Sequence, residues 1–119
     1  MSEYDEQVRV FRWAEAMAPT HPALALLNAS QNGAWLKSPK QAVNAKRAGM
    51  KNGVPDIFLP VPAGGFHGLF IELKHGKSKI RPEQKGWLQS LADHGYKSLC
   101  VWGADAAISE IEKYLGICK

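Results

Sequence analysis

Cysteine is scarce in this chain: only Cys100 and Cys118 occur in 119 residues, and they form no metal-type pair. A zinc-finger pattern is therefore absent, as is any helix-turn-helix pattern for reading bases. Cys100 sits in an apolar run and reads as a buried thiol, and two such thiols point to a reducing compartment. Long hydrophobic runs are missing as well. No stretch reaches the roughly 18–20 apolar residues that a membrane-spanning helix needs. The opening Met1-Ser2-Glu3-Tyr4-Asp5-Glu6 is acidic and lacks a signal-peptide pattern, so a cytoplasmic location is expected. The chain has no internal repeat, low-complexity segment or linker, no Walker loop, no G-x-S-x-G and no Cys–His pair at triad spacing. His21, His67, His75 and His94 are scattered and form no metal cluster. His75 follows Lys74 and would face the other side of its strand, as a structural or surface residue.

What remains is a basic chain of ordinary hydrophobicity. Lys and Arg number 15 against 11 Asp and Glu, giving a net charge of +4, and 45% of the residues are apolar. The charge favours a polyanionic partner, although a merely basic globular protein would show the same balance. The length fits one domain over residues 1–119. A small enzyme acting on a large substrate gains surface by pairing, so a homodimer is the expected form.

The coarse order is α-β-α-β-β-α-β-α, an α/β fold with a mixed sheet flanked by helices. Ser2 caps a helix running to about Ala18, with acidic residues in its first turn, where the helix dipole favours them. Leu24 to Ala29 is short and apolar, and predicts a strand. Asn32-Gly33 marks a turn. Ser38-Pro39 opens a helix to about Ala48, after which Gly49 and Asn52-Gly53 turn the chain. Ile57 to Val61 and Gly68 to Lys74 form a hairpin. Pro82 starts a helix ending near His94-Gly95, with Trp87, Leu88 and Leu91 on one face. Tyr96 to Trp102 predicts a buried strand, and Asp105 a final helix striped by Ala107, Ile108, Ile111 and Leu115.

Three charges interrupt these apolar strands. Glu72 breaks Leu69-Phe70-Ile71-Glu72-Leu73, and burying an unpaired carboxylate costs several kcal/mol, so it needs a partner. Lys74, two residues on, projects from the same strand face and could supply a plain ion pair. The other candidate partner is a metal shared with Asp56, which opens the neighbouring strand; read alone, Asp56 is equally a turn-capping residue after Asn-Gly. Hard oxygen ligands suit Mg²⁺ or Mn²⁺, which acidify water and neutralise charge on phosphate. Lys74 could orient or deprotonate that water, or stabilise developing charge. Such a set could cut a phosphodiester.

Gly53-Val54-Pro55-Asp56 followed by Glu72-Leu73-Lys74 resembles the PD-(D/E)xK nuclease superfamily. Gln84 and Trp87 in the following helix are similar to the marks of one branch, the virus-type replication-repair nuclease (VRR-NUC) domain, whose short stand-alone members occur in phages. The likeness runs from Glu3 to about Leu115. It implies a restriction-endonuclease-like α-β-β-β-α-β core, a divalent metal (Mg²⁺ or Mn²⁺), and endonuclease activity on branched or structured DNA. Some members are dimers that resolve four-way junctions, a step in DNA repair. It also implies Asp56 and Glu72 as metal ligands, with the Leu73 carbonyl as a further one, Lys74 as the catalytic lysine, and a first-helix glutamate near the metal. Glu3 and Glu6 both qualify. At about 100° per residue, Glu3 and Gln7 share a face with Val10, Phe11 and Ala14, which favours Glu3, acting through water.

Gln84, in the first turn after a basic loop, could reach the active site or the scissile phosphate, or could simply be exposed. Trp87 reads as core packing rather than a stacking platform. Lys77, Lys79, Arg81 and Lys85 follow the catalytic strand and are expected to contact DNA phosphates. Lys37, Lys40, Lys46, Arg47 and Lys51 form a second basic group on or beside the second helix. The rival to a catalytic reading is a non-catalytic DNA- or protein-binding module of the same fold. A sequence-specific restriction-type enzyme ranks lower, because so short a chain leaves little room for a recognition element.

Overall fold

The computed structural model describes residues 2–30 and 38–117. The Asn32-Gly33 turn, Lys37 and Cys118 lie outside the described residues. In chain order the elements are α1 (Glu3–Met17), a 3-10 helix (Pro22–Leu26), β1 (Asn28–Ala29), α2 (Pro39–Arg47), β2 (Ile57–Leu59), β3 (Leu69–Lys74), α3 (Pro82–Asp93), β4 (Lys97–Trp102) and α4 (Ala104–Leu115). The sheet order is β1-β2-β3-β4; the first three strands are antiparallel, and β3 and β4 run parallel. The parallel pair needs a crossover, which α3 supplies. The expected α/β architecture with a mixed sheet is thus present, with α2 inserted into the α-β-β-β-α-β order.

Local chemistry sets the helix ends. Ser2 and Asp5 form a reciprocal capping box at the start of α1. Ser38 accepts the Gln41 amide, and Pro39 takes the first position of α2. Gly116, at φ 69°, closes α4 in the left-handed conformation. The core lies between the sheet and the helices α1 and α4, and joins Val10, Ala14, Leu24, Ile57, Leu59, Leu69, Ile71, Leu73, Ala107 and Ile111.

Several expectations are corrected. Most of the Leu24–Ala29 strand is the 3-10 helix, leaving two residues of strand. Pro22 starts that helix, and its geometry buries Leu24 and Leu27 while leaving Leu26 outside. β2 stops at Leu59 rather than Val61 because Pro60 has no amide to donate. β4 is an edge strand: it is mostly half-buried, as is Cys100, and Trp102 is exposed. Trp87 is not in the core; its indole N–H donates to the Asn52 carbonyl at 2.9 Å, so it ties α3 to the turn before β2.

That turn is built for glycine. Gly53 has φ 89°, and a Cβ there would lie 2.8 Å from the Glu83 carbonyl oxygen in α3. Gly53→Ala should therefore cost about 2–4 kcal/mol, combining left-handed backbone strain with overpacking against backbone that cannot swing aside. Denaturant unfolding measures this directly; an unchanged midpoint would mean that α3 does not press on the turn.

Candidate active site

The turn at Gly53 delivers Asp56 to the start of β2, directly before Ile57, which pairs with Ile71. Ser30 fixes the approach: its hydroxyl donates to the Pro55 carbonyl at 2.7 Å and its amide to the Asp56 carbonyl at 2.8 Å. The Leu73 amide donates to Asp56 Oδ2 at 2.8 Å. One carboxylate is thereby anchored across the hairpin, next to the strand that carries the second.

On β3, Ile71 and Leu73 enter the core as the strand alternation requires, and Glu72 and Lys74 share the other face. Both charged side chains are buried, Glu72 at 2% and Lys74 at 6% exposure. Lys74 Nζ lies 3.4 Å from Glu72 Oε2, and Gln84 Nε2 donates to the same oxygen at 3.1 Å. Gln84 is itself locked, because its Oε1 accepts the Arg81 amide at 2.9 Å. The other carboxylate oxygen, Glu72 Oε1, is buried and has no hydrogen-bond partner among the described residues. Burial, and then the Asp56 carboxyl beside it, push the Glu72 carboxyl up to about 8; the Lys74 ammonium pulls it down without prevailing.

Glu3, Asp56, Glu72, Lys74, Ser78, Lys79, Arg81 and Gln84 line one open, polar cleft. Glu3 shares the inward face of α1 but stands in its first turn, and Ser78 Oγ donates to its Oε2 at 3.3 Å. Glu6 is the buried one: it meets His75 Nδ1 at 3.2 Å, Arg9 at 3.3 Å and the Ala104 amide at 3.4 Å. Those contacts, His75 first, hold its carboxyl below the usual range. Glu6 therefore joins α1 to α4 and to the end of β3, and of the two glutamates only Glu3 lines the cleft. Gln7 does not accompany it; it lines a shallow groove on the outer side of α1 with Tyr4 and Phe11. Lys79 and Arg81 reach the cleft, while Lys77 and Lys85 are exposed and do not line it. Lys40, Lys46, Arg47 and Lys51 are exposed, and α2 buries no residue.

Among the described residues, no three His, Cys, Asp or Glu side chains gather closely enough to hold a metal, so Glu3 does not complete a ligand triad with Asp56 and Glu72. The pair alone nevertheless suits Mg²⁺ or Mn²⁺, since Mg²⁺ commonly takes one or two carboxylates and keeps several waters. The unpartnered, buried Glu72 Oε1 is the atom such a cation would satisfy.

Sequence reasoning missed Ser30, Ser78 and Trp102. Ser78 was legible only as one residue of a basic loop, and Ser30 carried no signal, because its role depends on β1 lying against Pro55.

An Asp at the head of one strand, a Glu and a Lys on the next, and a Gln from the crossover helix, on this mixed sheet, define a nuclease-type fold. The VRR-NUC domain model matches residues 2–105, and the chain belongs to that family. A solved structure described as a VRR_NUC domain protein is similar at 29% identity, with a TM-score of 0.80, over 98% of this chain and 90% of that one. No curated protein matches the chain. The family assignment makes DNA the substrate class. Among the described residues, no helix is long and apolar enough to cross a membrane.

Proposed function

We propose that this chain is a Mg²⁺- or Mn²⁺-dependent endonuclease that hydrolyses phosphodiesters in branched or structured DNA. The observation that carries this reading is the orphaned, buried Glu72 Oε1 beside Asp56, in a cleft that also holds Lys74. Asp56 and Glu72 would hold the cation, with the Leu73 carbonyl as a further ligand and Glu3 acting through water. When bound, the cation supplies a more acidic water and offsets phosphate charge.

The chain's own residues do the rest. Gln84 holds Glu72 Oε2 and so aims the free oxygen. Lys74 orients the attacking water or balances the charge that gathers on phosphate as water adds and the bond to the leaving sugar oxygen breaks. Lys79 and Arg81 hold the backbone of the cut strand, and Lys77 and Lys85 extend that basic path outward. A homodimer would present two sites for paired cuts across a four-way junction, whereas a monomer would nick.

The test is cleavage of labelled four-way junctions, flaps, splayed arms and nicked duplexes with Mg²⁺ or Mn²⁺, alongside solution mass and Mn²⁺ calorimetry. Metal-dependent cutting of a branched substrate, with Mn²⁺ binding lost in Asp56→Asn, is the expected result. No Mn²⁺ heat from the wild type, or undiminished heat from Asp56→Asn, would make the chain a non-catalytic module instead.

A further inference from the structure

Trp102 ends β4 opposite Lys74 in the parallel register, so the two residues stand on the same sheet face. The residue is 47% exposed, yet its indole is held in place. The indole N–H donates to the Ser78 carbonyl at 2.8 Å, and Ser78 Oγ in turn donates to Glu3 at 3.3 Å. Ser78 lines the cleft, as does Lys79 after it. The ring is thereby tied to the rim of the site. With its one polar atom satisfied, what it offers solvent is hydrocarbon and π-surface, beside a loop carrying Lys77, Lys79 and Arg81.

Among the described residues, the other exposed aromatic residues are placed differently. Phe66 lies in the β2–β3 hairpin with Lys97 Nζ 5.5 Å from its ring centroid. Tyr4 lines the outer groove of α1, not the cleft.

We propose that Trp102 is a stacking platform for an unpaired nucleobase, where one strand of the DNA leaves the duplex next to the cut. The inference rests on the nuclease reading above and narrows its substrate class to DNA with an unpaired base adjoining the scissile phosphate. Two features favour this occupant. A base inside a duplex has both faces stacked and offers none to a protein ring, whereas a base at a branch point is free to stack. The cationic loop beside the indole complements the phosphates on either side of such a base. The hydrogen bond to Ser78 holds the ring in place before DNA arrives, so little side-chain freedom is lost on binding.

The experiment uses the full chain carrying Lys74→Ala, so that DNA is bound and not consumed. Affinity is measured for a splayed-arm DNA and for a fully paired duplex of equal length. A 2-aminopurine at the first unpaired position reports stacking by its loss of fluorescence. Adding Trp102→Ala should weaken splayed-arm binding about tenfold and abolish the quenching, with duplex affinity held within about twofold; Trp102→Phe should restore most of both. Equal loss on the two DNAs, or a Phe variant no better than Ala, would show that Trp102 only positions the loop through Ser78. An unchanged splayed-arm affinity would likewise overturn the proposal. If the Lys74→Ala parent binds neither DNA, the nuclease reading itself fails, and this inference with it.

Discussion

Lys74→Ala binds branched DNA and leaves it uncut: that is the largest expected effect of any single change in the cleft. Lys74 is almost fully buried, with Nζ 3.4 Å from Glu72 Oε2, so water screens its ammonium less than at the surface. Positioned acids, bases and charge-stabilising groups in such sites each contribute on the order of a hundred- to ten-thousandfold, and a loss of about a thousandfold in kcat is expected here. Binding should survive because Lys79, Arg81 and the exposed lysines beyond them remain. There is one complication with a known sign. The Lys74 ammonium opposes the rise in the Glu72 pKa, so its removal pushes that carboxyl higher still and weakens metal capture near neutrality. The assay therefore has to be run at saturating Mn²⁺ and repeated at higher pH. Normal cutting by the variant under those conditions would remove Lys74 from the chemistry.

The second large effect is on stability without metal. Glu72 titrates near 8 in the fold, against the ordinary carboxylate range when unfolded. Between roughly pH 4.5 and 8 the folded chain therefore holds a proton that the unfolded chain has lost, and stability falls as pH rises through that window. At about 1.4 kcal/mol per pH unit the fall amounts to a few kcal/mol, and it levels off above pH 8. Glu72→Gln keeps a neutral group of the same shape, so in EDTA its unfolding midpoint should stay flat across the window and exceed that of the wild type at pH 8. Saturating Mn²⁺ should reverse the order, since the cation stabilises the fold with Glu72 ionised. Parallel slopes for the two proteins in EDTA would show that another group carries the proton.

The residues of the cleft were more legible in the sequence than their surroundings. Glu72 and Lys74 announced themselves because charge in an apolar strand is costly, and alternation put them on one face. Asp56 followed from its place at the head of the adjoining strand. The helix starts at Ser2, Ser38 and Pro82 were readable because caps act within a few residues. Long-range pairing was not readable in the same way. The wheel placed Glu3 on an inward face of α1 but could not show that the face runs past the packed sheet, so that Glu3 lines the cleft while Glu6 is buried against His75 and α4. Trp87 looked like core because tryptophan is large and apolar; its N–H instead found a carbonyl 35 residues earlier in the chain. Trp102 looked like the end of a buried strand, and only the sheet order reveals that β4 has an open edge.

One helix reaches both segments that carry the carboxylates. α3 presses on Gly53 and holds Asn52 through Trp87, on the arm leading to Asp56, and it grips Glu72 through Gln84. The gap between the two carboxylates thus depends on how this one rod is seated, like the screw of a caliper, as well as on the Leu73 amide and Ser30 that hold Asp56. A disturbance along α3 that shifts its seating by a fraction of an ångström would change the spacing of Asp56 and Glu72, and so the fit of the proposed cation, without altering either residue.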